Sequence, residues 1–579
     1  MKTLQSFIFC GKGSNLSPLT NPNIDPTVND KELNNLTDFN VDSLARLPKA
    51  LLPIAGKPMI EYVIDWCDQA DFSEINIVAH IDEIDFIKNG LGNFITLRDQ
   101  QYELISKALL SNNHTHHLKK PKHINFISSK SNYTSELLQN ELLDKIHRDF
   151  VILPCDFITD IPPQIMLDQY QNRDDENIAM AIYYKKPLEQ QGLDKKKTSH
   201  KSKNEDKMFT LYSENKHTAK QPILLDSYSL NEVTKTKYLK VRDHLLWNYP
   251  NCSISKKLIN SFIYFCSYEM MQLLKKDDTE NGNGQEIGNS DNNSHGNTGT
   301  TTPTNSSNLS DISRADSMTS GLNTTDNKNN NNGKNNTVTD PTLIHPSYLR
   351  KPNSLIRDNI NTRNSIAKLF RDLSRRSWQH SKQRETISIF ILPEESTFIR
   401  SNDLNSYMEA TRFILRIKSN SSNLPIKSTM SSTIGADSIV DSSVTLLEKN
   451  SIKLSSINAG CNIGNKCRIS GSILLNNVHV DDECVLENVI IGPNAKIGKK
   501  SNLTSCYVEG NYIIDLKSNF KNETLVRSYG DDEEFDDGYG SDDAIYDSDN
   551  ESDESSDDEP SMDEYYDDEE FEDDGLFER

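Results

Sequence analysis

Short apolar runs recur along the chain at lengths typical of buried strands. Six of them are SFIFC (6–10), INIVAHI (75–81), FVILPCD (150–156), IAMAIYY (178–184), SFIYFCSYEM (from 261) and TISIFIL (386–392). Between the first two, Ile60, Val63, Ile64 and Cys67 follow one another at the i, i+3, i+4, i+7 spacing of a buried helical face. Strand, helix and strand in this order predict an α/β domain with a parallel sheet.

Further along, the apolar period changes to six. The aliphatic positions are Ile434, Val440, Leu446, Ile452, Ile463, Ile469, Leu475, Val480, Leu486, Ile491, Ile497 and Leu503. Four of the Ile residues in this region precede a glycine: Ile434, Ile463, Ile491 and Ile497. A hexapeptide period predicts a parallel β-helix whose coils stack their aliphatic side chains.

Composition divides the chain further. The net charge is −23, yet residues 531–579 alone contain 26 Asp and Glu against one Arg, so the remainder is nearly neutral. Residues 276–340 are rich in Asn, Ser, Thr, Gly and Asp and lack the apolar content for a core. We therefore predict the following: a first α/β part at 1–275, a disordered insertion at 276–340, the remaining α/β part with a basic helix at 341–425, a β-helix at 432–520 and a disordered acidic tail at 528–579.

The cysteines and the hydropathy indicate a cytosolic protein. Nine cysteines form no CxxC pair, and Cys10, Cys67, Cys155 and Cys266 lie in apolar runs like core residues. The chain has no run of eighteen apolar residues and no signal-peptide pattern. We expect a reduced compartment and no membrane contact.

The stretch RLPKALLPIAGKPMIEYVIDW (46–66) joins a stiff loop to the first helix. Pro48 and Pro53 restrict the backbone to extended conformations, and Pro58 stands where a first helical position is expected. Lys49 and Lys57 are therefore held on a rigid loop. This arrangement suits a phosphate cradle, or equally a surface loop with two solvated lysines.

A second cationic segment is the amphipathic helix SIAKLFRDLSRRSWQHSKQR (365–384). Its pattern predicts that Phe370, Leu373 and Trp378 pack inward. Arg371, Arg375 and Arg376 are expected to face out, either as a solvated face or as a contact for an acidic partner or nucleic acid.

Two motifs resemble the sugar-phosphate nucleotidyltransferases: FCGKGSNLSPLT (9–20) and PKALLPIAGKPMIEYVI (48–64). The resemblance implies a doubly wound α/β fold in which a glycine turn, lysines and a metal-binding aspartate hold a nucleotide. The matching positions are Gly11, Lys12, Gly13 and Ser14 in the turn, with Lys49, Lys57 and Asp156.

The match departs from the family at decisive positions. Asn15 stands where the family has arginine and Cys10 where it has glycine; losing such a charge typically costs about a hundred- to a thousand-fold in rate. In the sugar-binding pattern Asn-x-Gly-x-Tyr, Phe262 replaces the glycine between Asn260 and Tyr264. The implied pocket is degenerate and obstructed, with no catalytic residues, metal or cofactor.

The six-residue repeats resemble the left-handed hexapeptide helix of acyltransferases and of some nucleotidyltransferases. Acyl transfer in that family uses a histidine base, and His479 is the histidine available between 432 and 515. A lone histidine at a coil corner is more often structural, which disfavours acyl transfer.

Taken together, these features resemble the nucleotidyltransferase-like subunits of eukaryotic translation initiation factor 2B. Within that family the epsilon type adds a helical exchange domain after the β-helix; an acidic tail follows here, so the gamma type is favoured. The resemblance implies a non-catalytic scaffold or regulatory subunit of the complex that exchanges GDP for GTP on initiation factor 2. The epsilon subunit and the other subunits are the implied partners, with no direct nucleic-acid contact. The alternatives are an active pyrophosphorylase of the GDP-mannose type and a non-catalytic nucleotide sensor.

The acidic tail also contains candidate phosphorylation sites. Ser548, Ser552, Ser555 and Ser556 precede acidic residues at a spacing that acidophilic kinases prefer. We expect phosphorylation to add charge without changing a fold.

Overall fold

The computed structural model describes residues 3–20, 47–111, 120–185, 208–213, 221–275, 362–379, 385–421, 428–429 and 432–527. The insertion predicted at 276–340, and the acidic tail at 528–579 with its four candidate serines, lie outside these residues. Among the helices that the structure describes, none is long and apolar enough to cross a membrane.

The α/β part contains helices on a large mixed sheet. Its strands are β1 (Gln5–Cys10), β2 (Pro53–Ile54), β3 (Lys57–Pro58), β4 (Ile75–His80), β5 (Ile124–Ser129), β6 (Phe150–Pro154), β7 (Phe157–Thr159), β8 (Asn177–Lys185), β9 (Met208–Ser213), β10 (Ile223–Ser229), β11 (Cys252–Ser255), β12 (Leu258–Cys266), β13 (Thr386–Ile391) and β14 (Phe398–Arg400). Its helices are α1 (Met59–Asp68), α2 (Ile81–Ser111), α3 (Thr134–Asn140), α4 (Pro163–Gln171), α5 (Leu230–Thr236), α6 (Asp243–Asn248), α7 (Tyr268–Leu274), α8 (Ile366–Gln379) and α9 (Leu404–Ser421).

The main sheet has the strand order β11-β9-β10-β13-β8-β12-β6-β1-β4-β5. The strands β6, β1, β4 and β5 are parallel, whereas β12 runs antiparallel to both β6 and β8. The α/β fold is thus confirmed, with antiparallel pairs at β12 and among β9, β10, β11 and β13. The carboxyl ends of β1 and β6 meet at one edge of the sheet, where nucleotide ligands bind in open α/β folds.

The loop before α1 differs from its prediction. Residues Lys49–Leu51 form a 3-10 turn, and β2 and β3 pair as a short antiparallel hairpin, so the segment is not extended throughout. Pro58 is the N-cap residue of α1 and precedes the first helical residue, Met59, rather than occupying that first position. The predicted inner face of α1 is confirmed, since its four residues are fully buried.

The basic helix α8 also differs from its prediction. Phe370, Leu373 and Trp378 are buried as expected, but the arginines do not face solvent. Arg376 is only 6 % exposed. Arg375 Nε lies 2.8 Å from Oδ1 of the buried Asp226. The outward cationic face expected here is wrong, because internal carboxylates and packing occupy these side chains.

The hexapeptide region forms three parallel sheets stacked as a β-helix. Its strands are β15 (Ser428–Thr429), β16 (Ser432–Ile434), β17 (Ile439–Val440), β18 (Thr445–Leu446), β19 (Ser451–Lys453), β20 (Ser456–Ile457), β21 (Asn462–Ile463), β22 (Arg468–Ser470), β23 (Ile473–Leu474), β24 (His479–Val480), β25 (Val485–Glu487), β26 (Ile490–Ile491), β27 (Lys496–Ile497), β28 (Asn502–Thr504), β29 (Tyr507–Val508), β30 (Ile513–Ile514), β31 (Asn519–Lys521) and β32 (Thr524–Leu525). Only the short β15 pairs antiparallel, with β16.

Each sheet contributes one column of inward residues. The columns are Ile434, Ile452, Ile469, Leu486, Leu503 and Phe520; Val440, Ile457, Leu474, Ile491, Val508 and Leu525; and Leu446, Ile463, Val480, Ile497 and Ile514. Most register partners are 17 residues apart, one fewer than three hexapeptides, which explains the slips in the sequence period.

One predicted core position is wrong. Leu474, not Leu475, occupies the inner column. Leu475 is equally buried, but it points outward and packs with Leu16, Tyr407 and Met408 of the α/β part.

This outward packing joins the β-helix to the α/β part. Ile473 and Ile490 belong to the same apolar cluster as Ile54 of the β2–β3 hairpin. The Tyr507 hydroxyl donates to Asn405 Oδ1 at 2.8 Å, and Arg412 Nη2 donates to Asn488 Oδ1 at 2.7 Å. One face of the β-helix is therefore covered within the chain itself.

Candidate functional site

The site begins at Asp156, directly after β6. The Cys155 N–H donates to the Phe9 carbonyl at 3.2 Å, which continues the pairing of β6 with β1 beyond the strand end. Asp156 follows at the carboxyl edge of the sheet and is 1 % exposed. A carboxylate this deeply buried needs charged or hydrogen-bonding partners for both of its oxygens.

Lys49 supplies the first partner. Its Nζ lies 2.6 Å from Asp156 Oδ2 and donates to Asn402 Oδ1 at 2.6 Å. The 3-10 turn at Lys49–Leu51 carries the side chain inward, and the residue is 5 % exposed. The alternative that Lys49 is a solvated lysine on a surface loop is therefore excluded.

Arg400 supplies the second partner. Strand β14 pairs with β7 so that Arg400 is in register with Phe157, the residue after Asp156. Arg400 Nε donates to Oδ1 at 3.1 Å and Nη2 donates to Oδ2 at 3.2 Å. Burial alone would raise the pKa of Asp156, but Arg400 and Lys49 hold that pKa well below its usual range. We call Asp156, Lys49 and Arg400 the ion triad.

The glycine turn lies against this triad. Gly13 adopts φ +75°, and a Cβ at this position would lie 3.0 Å from the Lys49 Cβ. A side chain at Gly13 would therefore displace Lys49, which gives the glycine a packing role as well as a conformational one. Ser14 and Asn15 are exposed in the 3-10 turn that follows, and a Cβ at Gly11 would meet open space.

Lys12 faces a second acidic residue, Glu83, in the first turn of α2. Burial raises the pKa of Glu83 to about 7, while the charge of Lys12 lowers it. Glu83 Oε2 is buried without a hydrogen-bond partner. Nearby, a thiol hydrogen bond to Cys155 and burial raise the pKa of Cys10, so this thiol is a poor nucleophile.

Lys57 does not join the site. It is half-exposed on β3 and lies 3.9 Å from Asp65 of α1. Although the motif places Lys49 and Lys57 eight residues apart, the hairpin sends them to different surroundings. The structure thus brings Gly13, Lys49 and Asp156 together and leaves Lys57 on the surface.

Phe262 lies beside the triad in an unusual backbone conformation. Strand β12 is irregular between Asn260 and Tyr264, and Phe262 has φ +63°, a region that favours glycine. The Asn260 Oδ1 atom accepts a bond from the Phe262 N–H at 2.9 Å. The backbone bend of the Asn-x-Gly-x-Tyr pattern is therefore kept without its glycine. The Phe262 ring lies 5.4 Å from the Arg400 guanidinium carbon, a cation–π distance.

A divalent metal does not fit these residues. In nucleotidyltransferases the aspartate at this strand end binds magnesium through its carboxylate, and here both oxygens already accept from cations. A metal ion would have to displace Lys49 or Arg400 and leave a buried positive charge beside it. Among the described residues there is also no group of three or more His, Cys, Asp or Glu placed to hold a metal.

His479 shows no sign of a catalytic role. It lies in β24 with a half-exposed side chain, and its Nε2 is 3.1 Å from Asp481 Oδ1. This is a surface pair between a strand residue and the residue just after that strand, so His479 does not lie at a coil corner.

Sequence reasoning missed Arg400, Asn402 and Glu83. Arg400 is 244 residues from Asp156, and Asn402 is 353 residues from Lys49. The only local signal is the short run TFIRSND (397–403), in which the cation and the amide come after two apolar residues.

Comparison with known proteins gives two similarities. Residues 430–529, which include the β-helix, match the family described as GMPPB C-terminal domain. The chain is also similar to translation initiation factor eIF2B subunit gamma of Schizosaccharomyces pombe, with 24% identity over 272 residues. The aligned part covers 47% of this chain and 47% of that protein, so the chain spans about half of the relative's length. The resemblance drawn from the motifs is confirmed at this level.

Proposed function

We propose that this chain is a gamma-type, non-catalytic scaffold or regulatory subunit of the complex that returns translation initiation factor 2 from its GDP to its GTP form. It would pair with the epsilon subunit, which would supply the exchange chemistry. The similarity to the gamma subunit of Schizosaccharomyces pombe supports the role in translation initiation.

The ion triad is the observation that carries the proposal. Nucleotidyl transfer needs a bound metal cation, and it needs preorganised hydrogen-bond donors where negative charge develops on the phosphates. Here Asp156 is neutralised by Lys49 and Arg400, and the position of the family's arginine is held by the exposed, uncharged Asn15. Two of the residues implied to organise a triphosphate, Lys49 and Asp156, instead bind each other.

Phe262 adds a steric reason. By the resemblance, its ring would fill the space that the family's glycine leaves for the sugar, and the contact with Arg400 anchors it beside the triad. A sugar phosphate would have to displace this ring. An active GDP-mannose-type pyrophosphorylase is therefore the less favoured alternative.

The β-helix is the part we propose for partner contacts. One of its outer faces is covered by α9 and the β2–β3 hairpin. In the last described coil, Ile513 and Leu516 are 66 % and 68 % exposed. Exposed aliphatic side chains on a flat coil, beside strand edges that have no partner among the described residues, are typical of a surface that another subunit covers.

Co-purification with a tagged epsilon-type subunit tests this placement. The variants are Ile513→Asp with Leu516→Asp on the β-helix, Lys57→Ala near the site, and Leu104→Asp as a matched control, since Leu104 is 67 % exposed on α2. We expect only the β-helix pair to lose epsilon. If Lys57→Ala loses epsilon and the β-helix pair keeps it, the interface lies on the α/β part and the proposed placement is wrong.

A nucleotide sensor remains a second candidate because the rim of the glycine turn is open. Gly11, Ser14 and Asn15 are accessible, and Lys12 lies next to them. Calorimetric titration of the chain with GTP, with and without magnesium, tests it. Magnesium-independent binding that is lost in Lys12→Ala would support a sensor, whereas no heat at millimolar GTP would eliminate it.

A further inference from the structure

A second surface lies at the β11 edge of the main sheet, far along the sheet from the ion triad. We call it the α6 surface. It consists of Tyr238, Lys240, Arg242, Trp247, Ile254 and Lys256, all exposed. In the sheet order, six strands lie between β11 and β1, which leads into the glycine turn. The surface is therefore independent of the site discussed above.

Alternation along the segment between α5 and α6 places these side chains outward. Leu239 and Val241 pack on an apolar cluster built from Leu211, Leu225, Leu245 and Trp378. The intervening Tyr238, Lys240 and Arg242 therefore point to solvent, and all three are exposed.

Strand β11 extends the same surface. Cys252 packs on the same apolar cluster, so Ile254 lies on that side of the sheet, and Lys256 follows just after the strand ends at Ser255. The Lys256 ammonium lies 5.9 Å from the ring of Phe209, on the neighbouring strand β9. The six residues thus share one side of the sheet edge.

Two aromatic rings are unusually exposed on this surface. Trp247 is 74 % exposed and Tyr238 is 59 % exposed, whereas the other tryptophans of the chain, Trp66 and Trp378, are 5 % and 2 % exposed. Lys240 Nζ lies 5.2 Å from the Tyr238 ring, and the His244 ring meets Trp247 edge-on at 5.3 Å. Tyr and Trp are enriched at binding interfaces, where one end of the side chain is apolar and the other is polar.

The surrounding charge is positive. Residues 235–257 contain six Lys and Arg against one acidic residue, Asp243, although the chain before its acidic tail is nearly neutral. Cations interleaved with open aromatic rings are the combination that binds single-stranded polynucleotides, because the rings stack on bases while the cations meet phosphates.

We propose that the α6 surface binds a single-stranded polynucleotide. Bases stack on Trp247 and Tyr238, and Lys240, Arg242 and Lys256 contact the phosphates. The resemblance of the sequence to initiation factor 2B subunits implied no direct nucleic-acid contact, and the arginines of α8, a candidate contact for nucleic acid, are engaged internally. An acidic protein segment would satisfy the cations but would not need the two open ring faces.

Tryptophan fluorescence provides a direct test with the full chain. Since the other two tryptophans are buried, quenching by a ligand reports on Trp247. The probes are oligouridylate and oligothymidylate of about 20 nucleotides, long enough for several stacked bases. Poly-glutamate of similar charge serves as the acidic-protein probe. We expect quenching by at least one oligonucleotide and none by poly-glutamate. Binding of oligouridylate would indicate RNA, and binding of oligothymidylate would indicate DNA.

Variants then separate stacking from charge. Trp247→Ala should weaken oligonucleotide binding, measured by anisotropy of a labelled strand, by about 5- to 100-fold. Lys240→Ala with Arg242→Ala should lower the slope of log K against log salt by about 0.7 per lost phosphate contact. Leu104→Ala and Lys107→Ala, equally exposed on α2, are the controls and should change neither.

Three results would overturn the proposal. The first is that no oligonucleotide binds at low salt, and the second is that Trp247→Ala leaves oligonucleotide binding unchanged. The third is that poly-glutamate quenches Trp247 as strongly as the oligonucleotides do. The last result would assign the surface to an acidic protein instead.

Discussion

The β-helix and the ion triad differ in the sequence distance over which their contacts form. In the β-helix, Leu474 and Val508 flank Ile491, each 17 residues away. In the triad, Asp156 meets Arg400 across 244 residues and Lys49 across more than a hundred. The first arrangement repeats a local rule, whereas the second depends on the complete fold of the α/β part.

The two regions also respond differently to change. A coil of the β-helix is stabilised by apolar burial shared among many equivalent positions. The triad concentrates three charges in a space that excludes water, so loss of any member leaves the others uncompensated. We propose that the β-helix serves as a scaffold and that the ion triad is a structural joint between β6, β14 and the 3-10 turn.

The largest effect is expected for Ile491→Asp. Ile491 is fully buried in the inner column, so the variant places an unpaired carboxylate among aliphatic side chains. We expect a loss of more than about 4 kcal/mol and unfolding of at least one coil. Thermal unfolding followed by circular dichroism measures it. Ile513→Asp, at an exposed position of the same β-helix, is the control and should change the midpoint little.

The next effect is expected for Asp156→Ala. Removing the carboxylate leaves Lys49 and Arg400 buried beside each other, which should cost about 3–5 kcal/mol in denaturant unfolding. Asp65→Ala is the matched control, because its partner Lys57 is half-exposed and that pair should contribute less than about 1 kcal/mol.

The sign of the pH dependence follows from the lowered pKa of Asp156. Its contribution is complete above the ordinary aspartate pKa of about 3.9 and is lost as the pH falls toward the lower native pKa. Wild type should therefore lose more stability than Asp156→Ala between about pH 4 and pH 2. Parallel pH profiles would contradict the pairing.

A smaller effect of opposite sign is expected for Glu83→Gln. Because burial raises the pKa of Glu83 to about 7, its ionised form destabilises the native state as the pH rises from the unfolded value toward and beyond 7. The variant should be more stable than wild type by about 1–3 kcal/mol near pH 8 and equal to it near pH 4. A gain that is constant across this pH range would show that ionisation of Glu83 is not responsible.

The smallest effect concerns the backbone at Phe262. Alanine usually stabilises a strand relative to glycine, but at φ +63° the order should reverse. We expect Phe262→Gly to be more stable than Phe262→Ala by about 1 kcal/mol, since both lose the ring and only glycine relieves the strain. The usual order of the two variants would show that the left-handed conformation is not retained.

Local patterns predicted much of the fold. The inner face of α1 and eleven of the seventeen column residues of the β-helix follow from apolar spacing, since each is decided by neighbours within one or two turns or coils. Leu475 was misplaced because a 17-residue coil slips against an exact six-residue period, and both Leu474 and Leu475 are apolar. Arg376 was misplaced because a helical pattern cannot show that a second element covers its polar face.

The site was less predictable for the same reason. The motifs identified Gly13, Lys49 and Asp156, but not their mutual contact. No spacing rule connects Arg400 to Asp156, because the pairing of β14 with β7 brings them together. Lys57 matched the motif as well as Lys49 did, and only the β2–β3 hairpin separates their roles.

The central claim is that the ion triad has replaced nucleotidyl transfer. Pyrophosphate release by the full chain, supplied with magnesium, GTP or ATP and a panel of sugar phosphates, tests it most directly. We predict no release above the protein-free rate, both for wild type and for Phe262→Gly, because opening the sugar space does not free Asp156. Turnover of about one per second, which is in the ordinary range of enzymes, would contradict the claim.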